Sequence, residues 1–495
     1  MSIHATARTA AYLGVDVGTS STKAVLVSPG GEVLGLRTRQ HRVHRGPGGI
    51  AEMPMEVWWE DFRTLTAGLL SEQPVRVRAI GVSGMGPCVG VTDLDDVPLA
   101  PAALYGVDQR ARGEIREMTE RIGRDRLLAQ RDSLLTTQAG GPKLAWFRAR
   151  HPEAFEAGVR CWMPAGWMVR RLTGEYVLDR HSASQMTPLY DPATGQWDLE
   201  MLEATAPGAQ LPRLGWSAQI AGHTRRLQDL PELAPGIPVI HGSIDAWAEQ
   251  ESVGAVEPVH LLLMYGTTLF LIANANQRVR HPAMWGTTGT RPGTHNLAGG
   301  LATSGALTDW LREITGESGY EALVAEAGAV PPGSGGLLSL PYFAGERTPI
   351  QDPDARGMLA GLTLSHTRGH LYRSLLEGTA FAVRHNIEVM ETAGAHIGEV
   401  TCAGGGVASD LWPQIVSDVT GRAQLLRRDT VGAAYGDAFM AARAVGEAGE
   451  LEEWNPVERV IEPRPTPVYD ELYAAFRELY RVTADLQHRL AALQD

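Results

Sequence analysis

Two segments far apart in this chain repeat one pattern: an apolar β-forming run, a Gly-Thr turn and a second β-forming run. Residues 12–27 read YLGVDV, GTSST, KAVLV, and residues 261–273 read LLLMY, GTT, LFLIA. Each is a hairpin signal, because branched apolar residues fit a pleated sheet and the small polar residues between them fit a tight turn. A repeat of so long a period is not a solenoid; it predicts two related α/β halves. At 495 residues the chain also exceeds what one ordinary core supports, so two large domains are expected on length alone.

Between the hairpins, β and α signals alternate. Residues 75–82 read as a strand ending at a turn over 83–86, and residues 114–129 and 142–150 as helices, the second with Pro142 in its first turn. Residues 237–241 form a short strand, from which Gly242-Ser243-Ile244-Asp245 leads into a helix near Ala246. Beyond the second hairpin, 306–314, 371–390 and 411–420 are predicted helices and 400–403 a strand. In the tail, Leu472, Tyr473, Phe476, Leu479 and Tyr480 recur at helical spacing, an amphipathic helix packed on the body. Gly254 and Pro258 punctuate the middle of the chain. The expected division is 1–250, 251–446 and a C-terminal extension over 447–495.

Composition narrows the class. Hydrophobic residues make up 44% and charged residues 20%, the balance of a folded globular protein. A formal net charge of −13 argues against nucleic acid as partner, since phosphate backbones need a basic face. It leaves room for a single nucleotide, which backbone amides and one metal ion can hold. Cys88, Cys161 and Cys402 show no metal-ligand spacing, and three cannot all pair in one chain, so a reducing, cytoplasmic setting is expected. Residues 1–10 hold no apolar leader core and no run is long enough to span a bilayer, so no membrane partner is expected. The basic residues are nearly all arginine; the lysines are Lys23 and Lys143.

Four places carry chemistry. Asp16-Val17-Gly18-Thr19-Ser20-Ser21-Thr22-Lys23 puts a carboxylate at a strand end, then a glycine and hydroxyls whose donors suit phosphate oxygens. Asp16 would repel phosphate unless a cation stood between them, so it implies Mg²⁺ held through waters, with the Lys23 ammonium nearby. An ordinary polar hairpin turn would read the same way. Tyr265-Gly266-Thr267-Thr268 repeats that logic in the second half. Gly404-Gly405-Gly406, with Ser409 one turn on, removes side chains where a flat ring could lie on backbone, and Gly305 is a similar position. Asp245 follows a strand and a Gly-Ser turn, where it serves either as an active carboxylate at the sheet mouth or, by spacing alone, as a helix N-cap.

Together these segments resemble the FGGY family of carbohydrate kinases, of the superfamily that includes actin, hexokinase and the heat-shock chaperone ATPases. YLGVDVGTSSTKAVLV, HGSIDAWAEQESVG, MYGTT and CAGGGVASDLWPQIVSDVTG carry the likeness in that order, along with GPKLAWFRARHPEAF, RLTGEYVLDRHSAS and LPYFAGERTPIQDPDARG, which are similar to xylulokinase-type members. The resemblance implies two ribonuclease H-like α/β domains with an interdomain cleft that closes over ATP, Mg²⁺ and a small sugar or polyol. The sugar site and first phosphate turn would belong to 1–250, the second phosphate turn and adenosine site to 251–446. It makes Asp245 the general base in place of a cap. It sets Asp16 by the metal; Gly18, Thr19, Ser20, Lys23, Gly266 and Thr267 at phosphate; and Gly305, Gly404, Gly405 and Ser409 around the nucleotide. A homodimer is implied by the likeness only.

Departures bear on the substrate. Where xylulokinases usually carry Met-His this chain reads Met85-Gly86-Pro87-Cys88, and Ala246 stands where Asn usually follows the catalytic Asp. Tyr105-Gly106-Val107-Asp108-Gln109-Arg110 replaces the usual Trp-Asn-Asp-Gly-Arg. Met85, Gly86, Pro87, Asp108, Asp245 and Ala246 are thus the expected substrate positions, with polar groups missing at two of them, which redirects specificity. The leading expectation is a ketopentose such as xylulose. A tetrulose, ribulose, a sugar alcohol or glycerol is the runner-up. A nucleotide-driven switch of the actin or chaperone type, or a non-catalytic sugar sensor, is set against these by the presence of both Asp16 and Asp245.

Overall fold

Alternation along three strands decides how the first part of the chain packs. The computed structural model describes residues 9–317, 319–429 and 431–494; residues 1–8, read above for a leader, lie outside that set. Strands β1 (Thr9–Val17), β2 (Ser21–Val27) and β3 (Val33–Gln40) form an antiparallel meander, and β4 (Val75–Gly84) runs parallel to β1 on its other side. Side chains of a strand alternate between faces. Leu13, Val15 and Val17 of β1, Ala24 and Leu26 of β2, and Ile80 and Val82 of β4 enter one core with Trp58 and Phe62 of the helix Met55–Glu72. Tyr12 of β1, Val25 and Val27 of β2 and Ala79 of β4 face the other way, onto Ala434, Tyr435, Ala438 and Phe439 of the helix Ala433–Ala444. By the same two-residue period, Asp16, Lys23 and Ser83 extend that second face to the strand ends.

The sheet continues through β5 (Ile220–His223), β6 (Pro238–Ile240) and β7 (Ser243–Ile244), in the order β5-β6-β4-β1-β2-β3 with β7 also paired to β4. In the second part, β8 (His260–Tyr265) and β9 (Leu269–Ala275) make the second hairpin. They join β10 (His295–Leu301), β11 (Glu399–Ala403), β12 (Gln424–Arg427) and β13 (Val457–Ile461) in the order β10-β9-β8-β11-β12-β13. Here β11 runs parallel to β8, as β4 does to β1. Each hairpin therefore sits in the same place in its own sheet, with its Gly-Thr turn at the end from which the parallel neighbour also emerges.

Packing divides the chain into two compact units: Met1–Gly254 with Gly286–His295 and Val431–Pro456, and Ala255–Trp285 with Asn296–Thr430 and Val457–Asp495. A division at 250 and 446 follows chain order, and packing does not, because the helix Ala433–Ala444 returns to the first sheet. Residues 457–495 supply β13 and the helix Val468–Ala491 to the second unit, where Tyr469, Tyr473 and Phe476 enter the core with Phe381 and Leu340. The helix expected over 114–129 is two, Arg112–Ile122 and Arg124–Arg131, because Gly123 takes φ +91°, which no helix continues through. No helix among the described residues is long and apolar enough to cross a membrane. Cys88, Cys161 and Cys402 are buried and unpaired.

The helix Ala433–Ala444 lies on the first sheet backbone to backbone. A Cβ at Gly14 would overlap the Ala434 carbonyl oxygen, and one at Gly81 the Asp437 carbonyl. Gly14 and Gly81 face each other across β1 and β4, so the helix is seated on one paired position. Gly81→Ala should cost about 3 kcal/mol of stability in urea denaturation, because neither main chain can yield without parting helix from sheet. Gly113→Ala, where a Cβ meets nothing within 4 Å inside the helix Arg112–Ile122, should be neutral or stabilising.

Candidate functional site

In the first unit, the ends of β1, β2, β4 and β7 bring acidic groups together around one lysine. Asp16 stands opposite Lys23 on β2 and opposite Ser83 on β4, and Ser83 stands opposite Ser243 of β7. Two residues after Ser243 comes Asp245, the first residue of the helix Asp245–Val253. The N-cap of that helix is Ile244, and the Asp245 carboxylate instead accepts from the Ala246 N–H at 2.8 Å. The capping role that spacing alone suggests is therefore not what Asp245 does; its side chain is held at the sheet mouth, half-buried.

Charge crowding follows. Burial, and next the Asp245 carboxylate, raise Asp16 above the usual carboxylate range, while Lys23 opposes the rise. Burial also raises Asp245. Glu249, one helical turn on, is pushed up to about 7 by burial, relieved in part by Lys23 and by a hydrogen bond from the Ala433 N–H. The Lys23 ammonium donates to the Val431 carbonyl at 2.6 Å, just ahead of the helix Ala433–Ala444. Asp437, fully buried, lies 2.6 Å from Ser83 Oγ through Oδ2, and Ser83 Oγ is 3.2 Å from Asp16 Oδ1.

The first Gly-Thr turn is braced from behind. Gly18 N–H bonds Ser21 O at 3.0 Å, closing the turn. His41 faces the Gly18 carbonyl through Nε2 at 2.9 Å and the buried Asp61 through Nδ1 at 2.7 Å. Asp61 also accepts from the buried Thr22 hydroxyl at 2.8 Å. Thr19 Oγ1 is 2.9 Å from the Tyr105 hydroxyl, and Ser20 is exposed. Such bracing fixes the loop before any ligand arrives.

The second unit holds a cavity of about 470 Å³, a volume in the range of small-molecule sites. Gly266, Thr267, Gly305, Gly405 and Ser409 line it, against Tyr372 and Trp412. Gly305 is packed so close beneath the turn that a Cβ would stand 2.6 Å from the Gly266 carbonyl oxygen. Its N–H bonds that carbonyl at 2.9 Å, while the N–H groups of Ser304 and Ala306 both bond Thr267 O at 3.1 Å. Gly404 is not in the lining: at φ +93° its backbone lies on Tyr265, where any Cβ would overlap the Tyr265 carbonyl. Gly405 beside it is exposed, with nothing within 4 Å of a Cβ. Trp412 is fixed by an edge contact with Tyr265 at 5.2 Å and by its Nε1–H to Thr379 at 3.1 Å.

The remaining substrate positions fall out differently. Met85 is buried in the first core, and Gly86 packs against Ile244, where a Cβ would stand 2.6 Å from that side chain. Pro87 is buried and Ala246 half-buried. Asp108 is fully buried, and its two oxygens already accept from Ala51 N–H at 2.7 Å and from Arg110 Nε at 2.9 and 3.0 Å. Sequence reasoning missed Ser83, Glu249, Asp437, His41 and Asp61. Ser83 was readable as a hydroxyl at a strand end and Glu249 as a carboxylate one helical turn after Asp245; Asp437, His41 and Asp61 meet the site only through tertiary packing.

Family models and relatives agree with this architecture. A model of the N-terminal domain of the FGGY family of carbohydrate kinases matches residues 11–250, and one of its C-terminal domain matches residues 261–445. The xylulose kinase of Escherichia coli is 29% identical over 455 residues, covering 90% of this chain and 92% of that protein. The glycerol kinase of Alkalilimnicola ehrlichii is 31% identical over 462 residues, covering 89% and 91%. The crystal structure of xylulose kinase from Rhodospirillum rubrum superposes with a TM-score of 0.88 at 30% identity, covering 97% of this chain and 100% of that one.

Beneath the Asp245 helix, His181 stacks on Trp247 with ring centroids 3.9 Å apart. Its Nδ1 faces the Thr288 carbonyl at 2.8 Å and its Nε2 faces the Gln185 amide nitrogen at 3.0 Å, an arrangement that neutral imidazole satisfies. Burial holds it down to about 3. The unfolded chain takes up this proton near 6.5 and the folded chain does not until about 3, so its contribution is intact above pH 6.5 and lost as pH falls. Between pH 6.5 and 4.5 the stability of the wild type should fall more steeply than that of His181→Gln, by up to about 1.4 kcal/mol per pH unit in paired urea titrations.

Proposed function

The chain belongs to the FGGY family of carbohydrate kinases and is a sugar kinase, and on that premise we propose that it phosphorylates a hydroxyl of a small ketopentose such as xylulose, with Asp245 as general base. The observation that carries this reading is the placement of Asp245 at the head of its helix, two residues after Ser243, which the strand register sets opposite Ser83 and so beside Asp16; burial raises both carboxylates. Bound Mg-ATP would supply the phosphoryl group and the cation that offsets its charge. Asp245, oriented by the Ala246 N–H, takes the proton of the attacking hydroxyl at its free carboxylate oxygen.

The donor set fits that cofactor. Asp16 suits a cation held through water, since among the described residues no three His, Cys, Asp or Glu are set to grip one directly. Gly18, Thr19, Ser20 and Lys23 in the first unit, with Gly266 and Thr267 in the second, would bind phosphate oxygens. The second-unit cavity, lined by Gly305, Gly405, Ser409, Tyr372 and Trp412, suits adenosine, with Gly404 packed behind it on Tyr265. Xylulose is supported by the relatives of that name and by the xylulokinase-like segments. Glycerol is the second reading, favoured by a relative of that name at 31% identity and by the missing polar side chains at Gly86 and Ala246. The buried, unpaired cysteines support a cytoplasmic setting.

A coupled ADP-release assay with Mg-ATP against ketopentoses, tetruloses, pentitols and glycerol should show one strong acceptor among the ketopentoses. A glycerol response with silent pentuloses would select the second reading. Asp245→Asn should lower kcat about 10³-fold with ADP affinity unchanged, and turnover within tenfold of wild type would remove it as base. Asp16→Ala should raise the Mg²⁺ concentration needed for half-maximal rate; an unshifted requirement would contradict its part.

A further inference from the structure

The first Gly-Thr turn is gripped a second time, by a residue of the segment 104–110. Thr19 Oγ1 and the Tyr105 hydroxyl stand 2.9 Å apart, a bond between residues 86 apart in sequence. Both residues are half-buried, so the pair lies at the edge of the core and open to a ligand. The Tyr105 ring packs on the first core. Its main chain is held in a tight turn: Leu104 N–H donates to Ala51 O at 3.0 Å, Asp108 N–H to Tyr105 O at 3.0 Å, and Gly106 N–H to Gln138 Oε1 at 2.9 Å. Gln138 closes on Gly106 so tightly that a Cβ there would stand 2.8 Å from its Cδ. The buried Asp108 accepts from Ala51 N–H at 2.7 Å and fixes the far end of the turn. The place of the Tyr105 hydroxyl is therefore set by Ala51 and Gln138, independently of the Gly-Thr turn it reaches.

We propose that Tyr105 is a positioning residue for Thr19: it holds the Thr19 hydroxyl in one rotamer before a nucleotide arrives, so that the turn meets phosphate without first ordering that side chain. A free threonine hydroxyl samples staggered rotamers, and a bond to a fixed partner selects one. A hydroxyl donates once and accepts up to twice, so this single bond leaves Thr19 capacity for a phosphate oxygen whichever of the two atoms donates. Ordering a group in advance removes that cost from binding. His41 holds the Gly18 carbonyl on the other side of the turn, so main chain and hydroxyl are secured by separate parts of the chain. Tyr105 heads the segment whose usual counterpart begins with Trp, and an indole has an N–H and no hydroxyl. The link is thus a feature of this chain. This inference rests on the proposed part of Thr19 at phosphate and names what aims it.

The test is a double-mutant cycle read by calorimetric binding of Mg-ADP to the full-length wild type, Tyr105→Phe, Thr19→Val and the double variant, each checked for folding by circular dichroism. Phenylalanine keeps the ring in the core and valine keeps the branched shape of threonine, so each change removes one hydroxyl and little else. Tyr105→Phe should weaken Mg-ADP binding about 3–10-fold, the net loss of about one hydrogen bond, and Thr19→Val at least as much. The double variant should bind like Thr19→Val alone, because both changes break the same link. Thr19→Ser, which keeps the hydroxyl, should stay within about twofold of wild type. Should Thr19→Val not fold, Thr19→Ala takes its place in the cycle. Wild-type affinity in Tyr105→Phe, or a double variant whose loss is the product of the two single losses, would overturn the link. Absence of Mg-ADP binding by the wild type would instead remove the nucleotide part given to the first turn, and the positioning role with it.

Discussion

The arrangement of the first unit depends on one helix, Ala433–Ala444, that touches the sheet and a neighbouring helix through bare main chain. Gly14 and Gly81 admit it to β1 and β4, and its own Gly436 lies so close to the helix Asp245–Val253 that a Cβ would overlap the Ala248 carbonyl. Three contacts without side chains leave no slack for repacking, as close-packed interiors generally do not. The four carboxyl groups at the strand ends are each attached to an element this helix contacts or to the helix itself: Asp16 to β1, Asp245 and Glu249 to the neighbouring helix, Asp437 to the helix itself. Glu249 accepts from its first N–H, where the positive end of the helix dipole favours a carboxylate. The helix comes almost two hundred residues after Asp245, and this late return is what makes the compact unit discontinuous in sequence.

The two hairpins share a topological position yet are stabilised differently. In both units the turn lies between an antiparallel partner and a parallel one, with strand orders β5-β6-β4-β1-β2-β3 and β10-β9-β8-β11-β12-β13. The first turn is braced by side chains, His41 and Thr22 through Asp61. The second is braced by main chain: the N–H groups of Ser304, Gly305 and Ala306 are spent on the carbonyls of Gly266 and Thr267. That helix start therefore serves as a scaffold for the turn and leaves Gly266 and Thr267 exposed. The segment leading into it is pinned in turn by the buried Glu346, which accepts from the Ala302 N–H at 2.8 Å.

Local pattern carried the hairpins, the strand 400–403, the helix 411–420 and the tail helix into the sequence reading, because apolar periodicity and turn residues express them without reference to distant chain. The glycine run at 404–406 was legible for the same reason, although only one of the three faces open space; Gly404 and Gly406 are there to pass Tyr265. Lys23 was legible as a cation beside the turn, but its bond to the Val431 carbonyl joins residues 408 apart and leaves no trace in local sequence. Asp437 shows the limit most clearly. In a run of Ala, Gly and Phe it reads as an isolated helical carboxylate, and its meaning comes from Ser83, 354 residues away. The single helix expected over 114–129 is instead two, because Gly123 within it takes a positive φ that apolar periodicity does not reveal.

Four carboxyl groups and one ammonium gathered at the end of a sheet make a site that is unfavourable by itself. Burial raises Asp16, Asp245, Glu249 and Asp437 alike, because taking a carboxylate out of water penalises its charged form. Lys23 opposes that rise at Asp16 and Glu249. The cavity of the second unit is lined by backbone, hydroxyl and aromatic groups with Asp309 as its carboxylate. The asymmetry between two topologically alike sheets is thus one of charge: the first gathers buried carboxyl groups around one ammonium at its strand ends, and the second keeps its cavity sparsely charged.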